Sequence, residues 1–168
     1  MGHNRLVQVD NNTVALAYSG AASGAEGWIA TFNVDPSTGE ITGASGSSNK
    51  YVNKIKHDVG YGKHNSFVKL GGDKYVLAHE GQGGDGYITS FTISDDGTTI
   101  TTKDREFLVG SGTNGDAKMQ YNSLVKVDDN TVAVAFEGAS SHGYIATTNV
   151  NCLLYTSDAA DDTPCVDL

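Results

Sequence analysis

Hydrophobic and polar residues alternate along most of the chain, and this alternation predicts strands rather than helices. Between residues 86 and 93, for example, Tyr87, Thr89 and Phe91 fall on one face of an extended chain, and the residues between them fall on the other. Clusters of Asp, Asn and Gly interrupt the pattern and favour tight turns, because Gly and Asn tolerate a positive φ. The pattern therefore predicts an all-β fold over residues 4–151, with almost no helix.

The alternating pattern occurs in three copies. Residues 4–20 and 122–138 are identical at eleven of seventeen positions, and residues 65–81 follow the same pattern. A second block follows in each copy and begins Gly27-Trp28, Gly86-Tyr87 or Gly143-Tyr144. The copies are separated by 61 and then 57 residues. Repeats of this length are typical of folds in which each copy forms one supersecondary unit.

Each complete copy is predicted to form four antiparallel strands. In the second copy these include Ser66 to Leu70, Lys74 to His79 and Ile100 to Val109, with the alternating block as the third strand. In the first copy the fourth strand is expected from Ile41 through Lys56, with irregular stretches. The pattern stops after residue 151, so the third copy is expected to lack its last strand.

Four-stranded units at this spacing are typical of β-propeller blades. We therefore expect about two and a half blades of a β-propeller, an incomplete fragment, with copies at about 3–61, 62–120 and 121–151. A β-solenoid has a shorter repeat, and a sandwich has no reason to repeat.

The repeated pattern also resembles a family of long bacterial propeller-like proteins. Those proteins carry H-N-S-L-V-x-V-D-x-x-T-Y-x-L-A-Y-x-G, followed by D-G-[FY]-I-x-T-F-x-I, and the resemblance covers residues 3–151. Ser19 departs from the other copies, which have Glu80 and Glu137 at the same position. The function of that family is mostly unassigned, so the resemblance implies a fold and no particular chemistry.

Residues 152–168 interrupt the third copy in mid-strand. The stretch from Cys152 to Asp162 resembles the in-frame translation of a sequencing-library adapter, and the stretch from Cys165 to Leu168 resembles the adapter segment that follows the sample index. We expect a non-native tail that makes few contacts, with its two cysteines unbridged; the alternative is a natural C-terminal extension. Both cysteines of the chain lie in this tail, so they give no argument for a structural disulfide or a metal site.

Charge and composition narrow the classes of partner. The chain has 20 acidic and 11 basic residues, a net charge of −9, and the part before the tail has a net charge of −5. Such a balance argues against nucleic acid as a partner, because phosphate backbones are bound by clustered Lys and Arg. No apolar run is long enough for a membrane span. An acidic repeat region without cysteine, rich in Gly, Asn, Ser and Thr, favours an extracellular or cell-surface location.

The strand order places a candidate ligand-binding surface at one edge of the blades. The start of the first strand, the end of the second and the start of the third meet there, and loops at one end of a rigid scaffold are common binding sites. Each residue type also has a structural use, since Asn can bond turn backbone and Trp or Tyr can pack between blades. The candidate residues are Asn4, Trp28, His64, Asn65, Glu80, Tyr87, Asn122, Glu137 and Tyr144.

No catalytic motif is present, and we expect neither catalytic residues, nor a metal site, nor a cofactor. His57, His64 and His79 offer one histidine set around the second copy that the other copies do not repeat, and scattered histidines are more often structural. The favoured function is a non-catalytic binding, adhesion or scaffold module with a glycan or protein partner. The alternative is a fragment of a propeller enzyme, such as a glycosidase or lyase, that uses Glu80 and Glu137.

The open ends of such a fragment also predict self-association. Unpaired blade edges invite association with other chains. Leu124, Val132, Val134 and Ile145 are expected to face outward without a partner blade.

Overall fold

A computed structural model describes residues 4–20, 25–43, 50–109 and 118–150 of the 168-residue chain. The predictions for the tail, residues 152–168, therefore lie outside the described residues. The described residues form twelve β-strands and two short 3-10 segments, and they contain no α-helix. All strand pairings are antiparallel, which confirms the predicted all-β fold.

The first sheet has five strands because its fourth predicted strand is split. Its strands are β1 (Arg5–Gln8), β2 (Thr13–Ser19), β3 (Gly27–Val34), β4 (Ile41–Thr42) and β5 (Asn53–Asp58). The short β4 pairs with the end of β3, and β5 pairs with the start of β3. The expected strand from Ile41 through Lys56 therefore forms as two pieces along one side of β3.

The second and third sheets repeat the same order of pairing. The second contains β6 (Lys63–Gly71), β7 (Lys74–Glu80), β8 (Gly86–Ile93) and β9 (Ile100–Val109). The third contains β10 (Gln120–Lys126), β11 (Thr131–Glu137) and β12 (Gly143–Asn149). The 3-10 segments Gln82–Gly84 and Ala139–Ser141 follow β7 and β11. Three successive open sheets of five, four and three strands are consistent with incomplete propeller-like blades.

The sheets pack face to face in chain order, and β6 contacts both β1 and β10. We call the face that each sheet turns toward the next one its forward face, and the opposite face its rear face. The first seam, between the first and second sheets, buries Val9, Ala15, Ala17, Ile29, Phe67, Tyr75, Leu77, Phe91, Ile93 and Ile100. The second seam, between the second and third sheets, buries Leu70, Val76, Ala78, Ile88, Met119, Leu124, Val132, Val134, Phe136 and Val150.

The expected exposure of Leu124, Val132 and Val134 is wrong. All three lie on the rear face of the third sheet and are buried in the second seam. Side chains alternate along a strand, so the residues between them lie on the forward face. Ile145 was expected to be exposed and is 76% exposed.

Candidate functional site

The strand registers confirm that the predicted surface is one edge of the sheets. In the second sheet Lys63 pairs with Glu80, and Glu80 pairs with Gly86. In the third sheet Gln120, Glu137 and Gly143 are paired in the same way. The start of the first strand, the end of the second and the start of the third therefore lie side by side. We call this side of the molecule the loop edge.

A cleft of about 610 Å³ opens on the loop edge at the second seam. We call it the Glu80 cleft, since the Glu80 carboxyl group is the only carboxyl among its described lining residues. The cleft is lined by Gly60, Tyr61, Glu80, Gln82, Gly83, Gly84, Lys118 and Gln120. The backbone amide of Met119, which precedes the third sheet, donates a hydrogen bond to the carbonyl oxygen of Gly84 at 3.0 Å. This bond connects the 3-10 segment that lines the cleft to the third sheet. The cleft is thus built from the turn after β5, the end of β7 with the 3-10 segment that follows it, and the start of the third sheet. It is rich in hydrogen-bonding side chains.

Glu80 itself is almost fully buried, with 3% of its surface exposed. Gln120 Nε2 donates a hydrogen bond to Glu80 Oε1 at 3.3 Å. Burial raises the pKa of the Glu80 carboxyl, and the Gln120 hydrogen bond and the positive charges of Lys63 and Lys118 act in the opposite direction. The buried carboxyl therefore binds its proton more tightly than an exposed glutamate does.

His64 connects Glu80 to the third sheet. His64 Nε2 lies 3.3 Å from Glu80 Oε2, and His64 Nδ1 accepts a hydrogen bond from the backbone amide of Tyr121 at 3.1 Å. Since Nδ1 is an acceptor, a neutral His64 ring carries its proton on Nε2, the atom that faces Glu80. His64 and Tyr121 occupy the same repeat position, and both have a positive φ, 49° and 52°, where the strand pairing shifts register. A bulge with a left-handed residue thus turns each of these side chains out of the normal alternation.

The repeated asparagines bond backbone rather than line the cleft. Asn122 Nδ2 donates to the carbonyl oxygen of His64 at 2.8 Å, and Asn65 Nδ2 donates to the carbonyl oxygen of Gly62 at 3.1 Å. Both asparagines are buried. The structure therefore gives them the structural use that such residues have in turns.

A second polar cluster lies at the first seam and is centred on Asp58. Asp58 Oδ1 accepts hydrogen bonds from the backbone amides of Gly60 and Tyr61, each at 2.9 Å. Asp58 Oδ2 pairs with Arg105 Nη2 of the second sheet at 2.7 Å. This buried carboxylate accepts hydrogen bonds from a turn that follows the first sheet and forms an ion pair with an arginine of the second. It therefore connects the two sheets.

Two buried histidines pack beside this ion pair. The rings of His57 and His79 meet edge to face at 4.7 Å, and His79 Nδ1 lies 3.9 Å from Asp58 Oδ2. Burial and the Arg105 charge lower the pKa of His79 to about 4, although the Asp58 charge acts in the opposite direction. Burial, together with the charges of His79 and Arg105, lowers the pKa of His57 well below its usual value. Both rings are therefore neutral near pH 7.

The histidines do not form a metal site together. His57 and His79 lie at the first seam, whereas His64 contacts Glu80 at the second. Among the described residues, no group of three His, Cys, Asp or Glu side chains could hold a metal ion.

The three repeated aromatic residues each stand on the rear face of their own sheet. Trp28 pairs across strands with Tyr18 and carries the Lys54 ammonium 3.9 Å from its ring centre. Tyr87 stacks on His79 at 5.5 Å and carries the Arg105 guanidinium at 3.6 Å. Tyr144 stacks on Phe136 at 5.7 Å. They form one aromatic pair in each sheet rather than a shared platform.

The structure thus brings only some of the nine candidate residues together. His64, Glu80, Asn65 and Asn122 lie near the second seam, with only Glu80 lining the cleft. Trp28 lies on the rear face of the first sheet, Tyr87 lies beside His79 at the first seam, and Tyr144 stacks on Phe136 on the rear face of the third sheet. Asn4 is exposed at the first sheet, and Glu137 lies on the forward face of the third.

Sequence reasoning missed Asp58, Arg105 and Gln120, which make the polar contacts across the seams. A comparison of the copies offers one signal for Gln120. The equivalent position is a serine in the first copy, Ser19, and a glutamate in the other two, Glu80 and Glu137. The residue of the next copy that contacts this position is therefore expected to differ as well.

The chain matches no model of a known protein family and no curated protein sequence. Within residues 4–20, 25–43, 50–109 and 118–150, no helix is long and apolar enough to cross a membrane.

Proposed function

We propose that this chain is a non-catalytic binding module of a secreted or surface repeat protein, and that the Glu80 cleft binds a glycan. The observation that carries the proposal is the set of amide, carboxyl, phenol and ammonium groups of Gln82, Gln120, Glu80, Tyr61 and Lys118 around one cleft. Sugar hydroxyls both donate and accept hydrogen bonds, and these groups supply both functions. The secreted or surface location is supported by the acidic, cysteine-free composition of the repeat region, which is rich in Gly, Asn, Ser and Thr.

A glycan suits the cleft better than a protein partner does. Protein interfaces bind through a buried apolar centre with aromatic anchors. The cleft has Tyr61 as its one described aromatic lining residue and no aliphatic side chain among its described lining. Its volume of about 610 Å³ is in the range of small-ligand pockets.

The enzyme alternative has one observation in its favour, the raised pKa of Glu80. Glycosidases, however, need two carboxyl groups on opposite sides of one bond. Glu80 faces the second seam, whereas Glu137 lines a groove on the forward face of the third sheet. The third sheet therefore lies between the two carboxyl groups, and this arrangement supports binding without hydrolysis.

The test is a printed oligosaccharide array on the full chain, followed by calorimetry with any sugar that binds. We expect Gln120→Ala and Glu80→Gln each to weaken binding about tenfold, the effect of one lost hydrogen bond to a charged or buried group. Glu40→Gln, in an exposed turn at the opposite edge, is the matched control and leaves affinity unchanged. An array blank at every sugar overturns the proposal, and hydrolysis of a bound sugar that Glu80→Gln abolishes supports the enzyme alternative instead.

A further inference from the structure

The forward face of the third sheet is an apolar surface that no described residue covers. Val125 is 58% exposed, Val127 is 59% exposed and Ile145 is 76% exposed. A groove runs along this face and is lined in part by Ser123, Ala135 and Glu137. Isolated exposed apolar residues are ordinary, but a contiguous apolar strip on one face of a sheet marks an interaction surface.

The same positions are covered in the other two sheets. In the second sheet Val68, Leu70 and Ile88 occupy the positions of Val125, Val127 and Ile145, and all three pack in the second seam. In the first sheet the corresponding Val7, Val9 and Ile29 pack in the first seam. The third sheet therefore has the forward face of a blade whose next blade is not among the described residues.

The cover that fits such a face is the rear face of another sheet of this repeat. On the rear faces of the second and third sheets, Phe67 and Leu124 occupy equivalent positions and are buried. The corresponding residue of the first sheet is Leu6, which is 67% exposed. Val14 and Leu16, beside it on the rear face, are only half-buried.

Polar contacts recur at both seams and define how such faces align. Lys69 Nζ donates to the carbonyl oxygen of Val9, and Lys126 Nζ donates to the carbonyl oxygen of Leu70. The first sheet has Gln8 at the position of these lysines, and Gln8 is exposed. A sheet docked on the forward face in this alignment brings the Gln8 amide to the carbonyl oxygen of Val127.

A second match concerns the backbone of the first strand. The amide of Leu124 donates to Ser66 Oγ across the second seam at 2.8 Å. Ser123, on the forward face of the third sheet, occupies the position of Ser66, and Leu6 occupies the position of Leu124. The same alignment that brings Gln8 to Val127 therefore brings the Leu6 amide to the Ser123 hydroxyl.

Close packing at one glycine gives a third match. A Cβ atom on Gly86 would lie 2.3 Å from the sulfur of Met119, because the next sheet presses against that glycine. Gly143 has the corresponding position in the third sheet, and a Cβ atom there would meet nothing within 4 Å of described residues. The space beside Gly143 is therefore open, whereas a residue of the following sheet fills the equivalent space beside Gly86.

We propose that the chain associates head to tail, the forward face of the third sheet of one copy binding the rear face of the first sheet of a second copy. The interface continues the alignment of the two seams within the chain. Two copies supply six sheets, a number within the four to eight blades of closed propellers. A ring of two copies leaves neither face uncovered, whereas a head-to-tail contact that does not close grows into a filament.

The experiment uses the full chain with one charge placed on each face, as Leu6→Lys and Val127→Glu. Light scattering after size exclusion and sedimentation velocity are run from about 1 to 200 μM in 0.15 M salt, which screens the net negative charge. The wild type is expected to form dimers. Each variant alone is expected to be monomeric, with its dissociation constant raised about 100-fold, because an unpaired charge is buried at the contact.

The decisive sample is an equimolar mixture of the two variants. The mixture retains one unaltered pair of faces, the Leu6 face of the Val127→Glu chain against the Val127 face of the Leu6→Lys chain, and should form a one-to-one complex. Val59→Lys, which changes an exposed apolar residue at the loop edge, is the control and should dimerise like the wild type. Circular dichroism verifies that each variant is folded.

Three results overturn the proposal. They are a monomeric wild type throughout the concentration range, a Leu6→Lys variant that still dimerises, and a mixture that stays monomeric. The second would show that two third sheets meet face to face. Each of these results leaves the glycan test unaffected, since Leu6 and Val127 are not among the residues that line the Glu80 cleft.

Discussion

The two seams of this protein join equivalent faces of repeated sheets, yet the side chains at equivalent positions differ in type. At the first seam a Cβ atom on Gly27 would collide with the His57 ring, and Gly62 approaches the same glycine. At the second seam the Met119 side chain fills the corresponding space beside Gly86. The core of the first seam is rich in aromatic rings, whereas the core of the second is mainly aliphatic.

The polar contacts of the seams differ in the same way. Ser19 Oγ donates to the carbonyl oxygen of Gly62 at the first seam, and Glu80 accepts from Gln120 at the second. The first seam also has a buried carboxylate paired with Arg105, while the second buries Glu80 without an arginine partner. One backbone hydrogen bond recurs at both seams, from the amide of Gly62 to the carbonyl oxygen of Ala25 and from the amide of Met119 to that of Gly84. The same stacking is therefore compatible with two different sets of side chains.

This difference gives the seams opposite responses to acid. The pKa values of His57 and His79 are lower in the folded protein than in the unfolded chain, so the unfolded chain binds protons first as the pH falls. The fold is therefore most stable above pH 6.5 and loses stability as the pH falls toward the folded-state values. The raised pKa of Glu80 has the opposite sign, because its contribution is full below the unfolded pKa of 4.5 and is lost as the pH rises through the folded value. Three variants can test the contrast.

The largest effect is expected for Asp58→Ala, which removes the ion pair of the first seam. The change leaves Arg105 without its partner and two turn amides without their acceptor, so we expect a loss of about 3 kcal/mol in the free energy of unfolding. Urea denaturation at pH 7 measures it. The control is Asp10→Ala, which removes an acceptor of two turn amides outside any ion pair and should cost about 1 kcal/mol. Equal costs for the two variants would show that the ion pair adds nothing.

A smaller effect is expected for His79→Phe, which gives the second sheet the residue that the third has at Phe136. Unfolded chains protonate His79 from pH 6.5 downward, and the folded protein resists this to about pH 4. The variant should therefore lose less stability between pH 7 and pH 5, by about 2 kcal/mol. Urea denaturation at a series of pH values gives the result, with His142→Phe, at an exposed position, as the control. Parallel pH curves for His79→Phe and the wild type would contradict the assignment.

The smallest effect is expected for Glu80→Gln at the second seam. The glutamine avoids the cost of a buried charge and can still accept from Gln120, so stability at pH 7 should rise by up to about 1 kcal/mol. The gain should vanish below pH 4.5, where the carboxyl is protonated in both states. Thermal melts at pH 7 and pH 4 measure the change against Glu40→Gln, and a destabilised variant at pH 7 would mean that the charged form of Glu80 is favoured.

The fold was predictable from the sequence because alternation and repetition are local patterns. They predicted the paired strands and the shared loop edge. They did not predict which apolar face of the third sheet is covered, since both faces are apolar and the choice depends on the direction of stacking. The candidate site was predictable only as an edge. Asp58 and Arg105 are 47 residues apart and have no counterpart motif in the other copies, so only the packed structure brings them together.

The alternation of faces also bears on how a chain of this kind can evolve. In β11 the side chains of Val132 and Val134 pack in the second seam, while Ala133 and Ala135 lie on the other face. Adjacent codons are therefore selected by different neighbours. Loss of a single codon within the strand exchanges the faces of all residues beyond it. Duplication of a whole unit keeps both sets intact, so gains and losses of entire copies are the changes that selection can most readily retain.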